Sequence, residues 1–330
     1  MQIWESAEDI PADLGPTVVT IGIFDGVHRG HHAILSETVR QARATGRLAV
    51  ALTFEPHPLT VHSPEREIHL VATLSDRLER LEAAGLDAVF VQNYTLDYAK
   101  ASPAEFIDNQ LVGELKAAAI VVGEDVRFGR DNCGDGDYLV AHGALRGLQV
   151  TLLDDIVDEG GERLSSTRVR ECLACGDVEG AARILGRAHR VRGIVQHGFK
   201  RGRELGFPTA NLTGESLGEV PADGVYAGWL IRDIPGTKAQ EHLPAAISVG
   251  TNPQFDGEVR TVEAHVLGRT DLNLYGEAVA IDFIAFLRPM LKMNSVEELL
   301  NQMDEDLRGT AEVLGVPVSH RVNPEMVTAR

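Results

Sequence analysis

Apolar residues in the first 186 positions alternate between short β-branched runs and stretches with helical spacing. The β-branched runs predict buried strands at Thr17–Phe24, Leu48–Phe54, Ala88–Val91, Ala118–Gly123 and Val150–Leu153. The helical spacing predicts helices at His31–Ala44, Ser75–Ala84 and Pro103–Lys116. The last of these begins with Ser102, Pro103 and Glu105, a capping box with proline at the first helical position. This alternation predicts a mostly parallel sheet with helices on both faces.

The pattern changes after about residue 187, where strands follow one another with little helix between them. Strands are predicted at His189–Gln196, Gly224–Ile231, Leu243–Val249, Thr261–Val266 and Glu277–Phe286. Glycine and proline turns separate them, which indicates a compact antiparallel barrel or sandwich. A last helix, about Val296–Leu314, begins with Ser295 and Glu298 in capping-box spacing. We therefore expect two domains, 1–186 and 187–330, with the boundary near Leu185–Arg190.

Composition and charge narrow the class of protein. The chain has 330 residues, of which 44% are hydrophobic and 24% are charged, and its formal net charge is -18. An acidic chain gains nothing from counterion release, so nucleic acid is not an expected partner. The segment Met1–Glu5 has no signal-peptide pattern, and no apolar run approaches the roughly 20 residues of a membrane span. We expect a cytoplasmic protein that does not bind membranes, and the sequence leaves open whether it forms a homo-oligomer.

The three cysteines do not form a disulfide framework. Cys172 and Cys175 have CxxC spacing, but the chain lacks the second pair that a zinc site needs. This spacing therefore indicates two small residues in a helix.

Two histidines mark the position where the first predicted strand gives way to a helix. His28 and His31 lie next to Gly26 and Gly30, which leave room for a ligand close to the backbone. A helix N-terminus carries partial positive charge and free N–H groups, so it favours a phosphate. Imidazoles beside it would stabilise a phosphoryl group during transfer. The spacing alone also fits a metal pair or two core histidines.

A second polar segment, Arg163–Arg170, follows the fifth predicted strand and precedes a helical pattern. Its two serines and one threonine would cap a helix equally well. Together with its arginines, however, they also suit a polyphosphate. Because the carboxyl ends of parallel strands meet at one edge of a sheet, this segment and the histidines are expected to lie together. That combination favours a nucleotide site.

The second half contains its own polar motif. The stretch Gly202–Asn211 lacks the pattern of a Walker A loop, and by itself it indicates a glycine-rich turn leading into a strand. Thr209 and Asn211 alternate along an extended chain, so their side chains face the same side. Their neutral oxygens would ligate Mg²⁺ while nucleotide phosphates supply negative charge. Glu263 lies in a predicted strand, where a lone glutamate is usually solvated.

Taken together, these motifs resemble a known family. The first half resembles the nucleotidyltransferase superfamily through the HxGH motif of His28–His31 and the segment Arg163–Arg170. Nearly the whole chain resembles the prokaryotic bifunctional riboflavin kinases/FMN adenylyltransferases, also called FAD synthetases. Further blocks carry this closer resemblance: Thr20–His28, Thr53–Pro58, Val121–Asp125, Gly202–Asn211, Pro221–Gly228 and Ile247–Pro253.

The resemblance implies roles for residues of the first half. His28 and His31 would stabilise the α-phosphate of ATP while AMP is transferred to FMN. The ATP phosphates would be held by Arg163, Ser166, Thr167 and Arg170, and Asp125 falls at a nucleotide-site position of the family. The flavin pocket would include Phe54, Pro56, Pro58 and Phe128.

For the second half, the resemblance implies riboflavin kinase chemistry. Thr209 and Asn211 would bind Mg²⁺, and Glu263 would be the base that accepts the proton of the ribityl hydroxyl. Substrate-binding positions implied in the same way are Gly202, Gly206, Pro208 and Asn252.

The expected fold and function follow from this resemblance. We expect an α/β nucleotidyltransferase-like domain with a Rossmann-like parallel sheet, followed by a mainly antiparallel β-barrel flavokinase domain with a C-terminal helix. The enzyme would phosphorylate riboflavin with ATP, giving FMN, and then adenylylate FMN to FAD with release of pyrophosphate. Its substrates would be ATP, riboflavin and FMN, and its metal cofactor Mg²⁺.

Two other functions fit part of the sequence. A class I aminoacyl-tRNA synthetase also carries a motif like HxGH, but its KMSKS signature is missing and the acidic charge disfavours tRNA. A flavin-binding or regulatory protein could keep the fold without catalysis. Against this second alternative, both sets of expected catalytic residues are intact.

Overall fold

A computed structural model describes residues 1–66, 68–158, 160–196, 207–213, 217–234, 236–237, 239–251, 260–269 and 271–321. Contacts divide the chain into two units. The first comprises Met1–Leu70 and Leu74–Ser166, and the second comprises Val71–Thr73 and Thr167–Arg330. Among the described residues, no helix combines the length and the apolar character needed to cross a bilayer.

The first unit is built on a six-stranded parallel sheet, which confirms the expected architecture. The strands are β1 (Gln2–Trp4), β2 (Thr17–Ile21), β3 (Leu48–Glu55), β4 (Ala88–Asn93), β5 (Ala117–Gly123) and β6 (Gln149–Leu153). The helices are α1 (Arg29–Thr45), α2 (Pro58–His62), α3 (Leu74–Ala83), α4 (Pro103–Glu105) and α5 (Gly136–Leu145). The strand order is β1-β4-β3-β2-β5-β6, so the direction of winding reverses between β2 and β5. Ligands of open α/β sheets bind at such a reversal, beyond the carboxyl ends of the strands.

Two apolar cores cover the two faces of this sheet. Alternate residues of a strand face opposite sides, so neighbours such as Val18 and Val19 belong to different cores. The core that contains Val18 includes residues of α1 and α3, whereas the one that contains Val19 includes Phe106 and Leu111. Because both faces of the sheet are packed, the ends of its strands hold the connecting loops in defined positions.

The structure corrects two predicted elements of this unit and adds one strand. The strand predicted to reach Phe24 ends at Ile21, because Phe24 and Val27 adopt left-handed φ values of 53° and 41° and turn the chain away from the sheet. The helix predicted over 103–116 is α-helical only to Glu105 and continues as a π-helical segment, Phe106–Glu114. The short edge strand β1 was not predicted, because three residues carry too little pattern.

The second unit is a closed barrel of six antiparallel strands in the order β10-β11-β8-β7-β12-β9. These are β7 (His189–Gln196), β8 (Ala210–Thr213), β9 (Gly224–Asp233), β10 (Gln240–Thr251), β11 (Arg260–Val266) and β12 (Ala278–Arg288). The remaining helices are α6 (Ser166–Ala174), α7 (Val178–Leu185) and α8 (Val296–Leu314). The expected barrel with a C-terminal helix is confirmed, and β8 is the strand into which the glycine-rich stretch was expected to lead, although no bounds were predicted for it. Leu307 and Ala311 of α8 are buried in one apolar cluster with Phe207 and Leu267.

The contact division separates the units between Ser166 and Thr167, earlier than the expected boundary near residue 186. The reason is that α7 packs against β7 and β12 and is therefore grouped with the barrel. The limits 1–186 and 187–330 stay a prediction for the extent of the two catalytic domains.

Candidate active sites

The two histidines of the HxGH motif lie together at the reversal point of the parallel sheet. His28 is the N-cap of α1, and its Nδ1 accepts a hydrogen bond from the backbone N–H of His31 at 3.4 Å. The two rings stack with centroids 3.7 Å apart, and the edge of Phe24 contacts His31 at a centroid distance of 5.3 Å. Because Nδ1 of His28 is the acceptor in this hydrogen bond, a proton on this ring lies on Nε2. The pair therefore lies beside a helix N-terminus, as the sequence predicted.

The electrostatic environment keeps His31 neutral. Burial of the ring lowers its pKa well below the usual value, and the nearby His28, His32 and Arg163 lower it further. Its Nδ1 is buried and has no hydrogen-bond partner among the described residues. A negative phosphate beside this ring would act in the opposite direction and favour its protonation.

Residues beyond β5 and β6 complete the first cluster. Arg163 forms a salt bridge with Asp125 and a second one with Asp155, in which Nε and Oδ1 are 3.0 Å apart. Ser166 Oγ donates a hydrogen bond to the carbonyl of Asp25 at 2.8 Å, three residues before His28. The cluster thus joins the loops after β2, β5 and β6, and the structure brings His28, Asp125, Arg163 and Ser166 to one end of the sheet.

Thr167 and Arg170 follow Ser166 on α6, and they belong to the second unit. The Arg170 guanidinium donates to Thr167 Oγ1 at 3.4 Å, so the two side chains lie on the same face of this helix. Their expected contact with ATP phosphates stays a prediction.

The residues expected to bind flavin separate into two environments. Phe54, near the end of β3, packs edge-on against Tyr94 at 5.8 Å and also contacts Tyr98. Pro56 is exposed and Pro58 is half-buried, where the chain enters α2. Phe128 instead is buried in the core, with Phe106 5.3 Å away between ring centroids. Phe54 and the two prolines therefore border the carboxyl end of the sheet, and Phe128 supports it from the core.

Arg77 is a residue of this region that sequence reasoning missed. Its side chain is only 2% exposed, although an arginine on an amphipathic helix is usually solvated. The guanidinium donates to the carbonyls of Ile23 and Phe54 at 2.9 and 3.1 Å, and it forms an ion pair with Glu55. No local pattern in the sequence reveals these contacts.

The second cluster lies on two neighbouring strands of the barrel. Asn211 on β8 and Glu263 on β11 are directly opposite in the strand register. Thr209 Oγ1 donates to Glu263 Oε2 at 3.4 Å and accepts from Asn211 Nδ2 at 3.2 Å. The three side chains therefore form one polar cluster, and the prediction that Thr209 and Asn211 face the same side is confirmed.

Burial increases the proton affinity of the Glu263 carboxylate. Desolvation raises the pKa of its carboxyl, and the hydrogen bond from Thr209 partly opposes this. His265, two residues further along β11, is 4% exposed, and its Nδ1 lies 2.9 Å from the carbonyl of Pro208. This contact holds the segment that carries Thr209 next to the strand that carries Glu263.

Comparison with known proteins finds matches in both halves of the chain. The model of the FAD synthetase family matches residues 10–168, and that of the riboflavin kinase family matches residues 185–314. Curated relatives from Listeria monocytogenes and Pseudomonas fluorescens, both bifunctional riboflavin kinase/FMN adenylyltransferases, are each 34% identical to this chain. The alignments cover 89% of this chain and 91% of the Listeria protein, and 97% of this chain and 100% of the Pseudomonas protein.

The chain belongs to the bifunctional riboflavin kinase/FMN adenylyltransferase family. A solved structure described as a macrolide-efflux protein from Streptococcus pneumoniae is 30% identical, with a TM-score of 0.81. It covers 93% of this chain and 97% of its own, so the likeness extends over both units. The predicted family is confirmed. The alternative that the chain is a class I aminoacyl-tRNA synthetase is set aside.

Three of the expected site residues lie outside the described part of the chain. They are Gly202, Gly206 and Asn252. Their roles stay predictions. Within the described part of the chain, no group of three or more His, Cys, Asp or Glu residues is arranged to hold a metal ion.

Proposed function

We propose that the chain converts riboflavin to FAD in two steps, each at one of the two clusters. The observation that carries this division is that each cluster draws its central residues from a single unit. His28, His31 and Asp125 belong to the first unit, and Thr209 and Glu263 to the second. The first cluster performs FMN adenylylation, and the second performs riboflavin phosphorylation.

In the kinase step, Glu263 accepts the proton of the ribityl hydroxyl of riboflavin. The hydroxyl oxygen then bonds to the γ-phosphorus of ATP, and the bond to the bridging oxygen of ADP breaks. The raised pKa makes the ionised carboxylate a better base than an exposed glutamate. Phosphoryl transfer depends mainly on positioning and charge neutralisation, so a base of this strength is sufficient.

The residues around Glu263 fit a magnesium ion. Thr209 Oγ1 accepts a hydrogen bond from Asn211 Nδ2 and donates one to the carboxylate of Glu263, so the hydroxyl and amide oxygens of two neutral side chains lie beside a carboxylate. Mg²⁺ prefers oxygen ligands and binds through a few protein groups together with substrate phosphates. When bound, the ion neutralises charge on the transferring phosphate. Thr209 and Asn211 are the residues that would hold it.

In the adenylylation step, a phosphate oxygen of FMN bonds to the α-phosphorus of ATP, and pyrophosphate leaves. His28 and His31 stabilise the charge that develops on the α-phosphate. His31 is neutral in the resting site, and protonation becomes more favourable as negative charge builds beside it. Arg163 exchanges its carboxylate partners Asp125 and Asp155 for ATP phosphate oxygens.

The partners of the enzyme are small molecules: ATP, riboflavin and FMN. We place its action in the cytoplasm, since both steps consume ATP. The net charge of -18 disfavours nucleic acid as a partner. Self-association stays open.

Substitution of Glu263 tests the assignment of the kinase step. Glu263→Gln removes the base but keeps the shape of the side chain, so FMN formation should fall by about 100-fold or more. Conversion of added FMN to FAD should remain at the wild-type rate. Both reactions are followed by chromatography with ATP and Mg²⁺. The exposed Glu297→Gln makes the same change of charge away from the cluster and should leave both rates unchanged.

The reciprocal substitution tests the adenylylation step. His28→Ala with His31→Ala removes the groups that stabilise the α-phosphate, so FAD formation from FMN should fall by about 100-fold while riboflavin phosphorylation continues. His142→Ala removes a histidine that contacts Asp108 in the same unit and serves as the control. If either folded variant lost both activities, the assignment of one reaction to each cluster would be wrong.

A further inference from the structure

We propose that Arg77 is a positioning residue that fixes the ATP side and the flavin side of the adenylylation site relative to each other. This role rests on the proposed function of the first unit. Arg77 extends from α3, and its guanidinium reaches two other segments. It donates to the carbonyls of Ile23 and Phe54 at 2.9 and 3.1 Å and to Thr53 Oγ1 at 3.3 Å. The guanidinium of Arg77 also forms an ion pair with the carboxylate of Glu55.

The two carbonyls belong to the two halves of the site. Ile23 lies in the turn after β2 that leads to His28, on the side where ATP would bind. Phe54 lies near the end of β3, at the expected flavin pocket. Thr53 Oγ1 also donates to the carbonyl of Ile23, at 3.1 Å, so the two segments are joined both directly and through Arg77. One guanidinium therefore ties together the ends of two parallel strands at the point where both substrates meet.

The turn after Ile23 needs such external support. Phe24 and Val27 adopt left-handed φ values of 53° and 41°, which are unfavourable for residues with a side chain and most of all for a β-branched valine. Backbone in such conformations persists only where surrounding contacts impose it. The hydrogen bond from Arg77 acts on the carbonyl that immediately precedes this strained turn.

Stability by itself does not account for an arginine at this position. Removing a guanidinium from water has a large desolvation cost, and apolar residues of similar volume often replace buried ion pairs without loss of stability. What an apolar side chain cannot supply is a set of directional hydrogen bonds to two separate strands. The specific contribution of Arg77 is therefore geometric, and it should be visible in the rate of transfer.

The experiment compares Arg77→Met with the wild-type full-length chain. A misplacement of about 1 Å between reacting groups lowers a rate by up to about 100-fold, so we expect kcat for FAD formation from FMN to fall by about 10- to 100-fold. The KM values for ATP and FMN should change by less than about threefold, because the side chains that bind the substrates are intact. The kcat for riboflavin phosphorylation should be unchanged.

Conservative replacement and chemical rescue separate positioning from a general structural role. Arg77→Lys keeps the charge but cannot donate to all of the acceptors at once, so its kcat should lie between those of Arg77→Met and the wild type. In Arg77→Ala, millimolar guanidinium chloride should restore part of the lost kcat, since the planar ion fits the space and the acceptors that the side chain leaves. The same salt should have no such effect on the wild type.

Arg43 provides a matched control. It forms a bidentate pair with Asp87, with distances of 2.6 and 2.9 Å, and donates to the carbonyl of Gly85, away from the carboxyl ends of the strands. Arg43→Met should leave kcat for FAD formation unchanged. An unchanged kcat in both Arg77→Met and Arg77→Lys, or an equal fall of both activities, would overturn the proposal. If instead the wild-type chain makes no FAD from FMN, the proposed function itself fails.

Discussion

Gly30 lies between the two histidines, and its lack of a side chain allows their close arrangement. A Cβ at this position would lie 3.0 Å from Cε1 and 3.1 Å from Nδ1 of the His28 ring. That ring is 6% exposed and is already stacked on His31, so it has little room to move away. The glycine of the HxGH motif therefore avoids crowding against the His28 ring, in addition to leaving room for a ligand.

Gly30→Ala should lower the adenylylation activity without lowering the stability of the fold. Alanine is favoured over glycine within a helix by up to about 1 kcal/mol, so the fold should not lose stability through backbone propensity. Displacement of the His28 ring should lower the rate of FAD formation from FMN by about 10-fold, with riboflavin phosphorylation unchanged. Gly309→Ala in α8 is the control, because its nearest neighbour, Leu287, is at an ordinary 3.6 Å. An undiminished rate in Gly30→Ala would contradict this role.

The buried carboxyl of Glu263 should make the stability of the protein depend on pH. Burial raises the pKa of its carboxyl in the folded state, so folding favours the protonated form. Its contribution to stability is present at low pH and is lost as the pH rises through the raised pKa. Glu263→Gln cannot ionise. We therefore expect this variant to unfold at a higher temperature than the wild type at pH 8, without nucleotide or metal.

The difference in unfolding temperature between Glu263→Gln and the wild type should narrow as the pH falls towards the ordinary glutamate pKa of about 4.3. Thermal unfolding followed by circular dichroism between pH 8 and pH 5 measures it, and Glu297→Gln, which is exposed, serves as the control. A difference in unfolding temperature that grows as the pH falls would show that the carboxylate is favoured by folding, contrary to this expectation.

The residues of the two clusters differ in how far the sequence reveals them. His28 and His31 stand next to a strand pattern and a helix pattern, so their neighbourhood at a strand end could be predicted. Thr209 and Asn211 could be placed on one side of an extended chain by their spacing alone. Arg77 could not be found, because its acceptors lie on other segments and only the folded sheet brings them within reach.

At the scale of elements, long and regular apolar patterns predicted most of the strands. The strand β7 was predicted with its observed ends, His189–Gln196, because its apolar pattern is long and clear. The four residues of β8 were expected only as an extended continuation of a glycine- and proline-rich turn, and they are too few to carry a strand pattern with bounds. This short strand carries Asn211, so an element with a weak sequence pattern helps to build the second cluster.

The cap of α8 makes a prediction at this scale. Ser295 Oγ accepts a hydrogen bond from the backbone N–H of Glu298 at 3.0 Å, and the Glu298 carboxylate accepts from the N–H of Asn294. Loss of such a cap costs about 1 kcal/mol, and α8 covers the barrel through Leu307 and Ala311. Ser295→Ala should therefore lower the free energy of unfolding by about 1 kcal/mol in urea, and Ser295→Asp should retain it. An equal loss in both variants would mean that the hydroxyl does not act as a cap.

At the scale of the whole molecule, pattern reasoning predicted a parallel sheet followed by an antiparallel structure, but it left barrel and sandwich open. Closure depends on the pairing of β9 with β10 and of β7 with β8, which are contacts between whole strands. The division into two units was also visible in the sequence, whereas the grouping of α7 with the barrel depends on its packing against β7 and β12.

Two self-contained clusters imply that two defective chains can together do what neither does alone. The variant Glu263→Gln retains the adenylylation cluster, and the variant His28→Ala with His31→Ala retains the kinase cluster. With riboflavin, ATP and Mg²⁺, each variant alone should form FAD about 100-fold more slowly than the wild type. An equimolar mixture should form FAD after a lag, because FMN made by one chain must build up in solution before the other uses it. The lag should shorten as the protein concentration rises. If the mixture formed no FAD while each variant kept its own step, FMN would have to pass within a single chain, and the two clusters would not be independent sites.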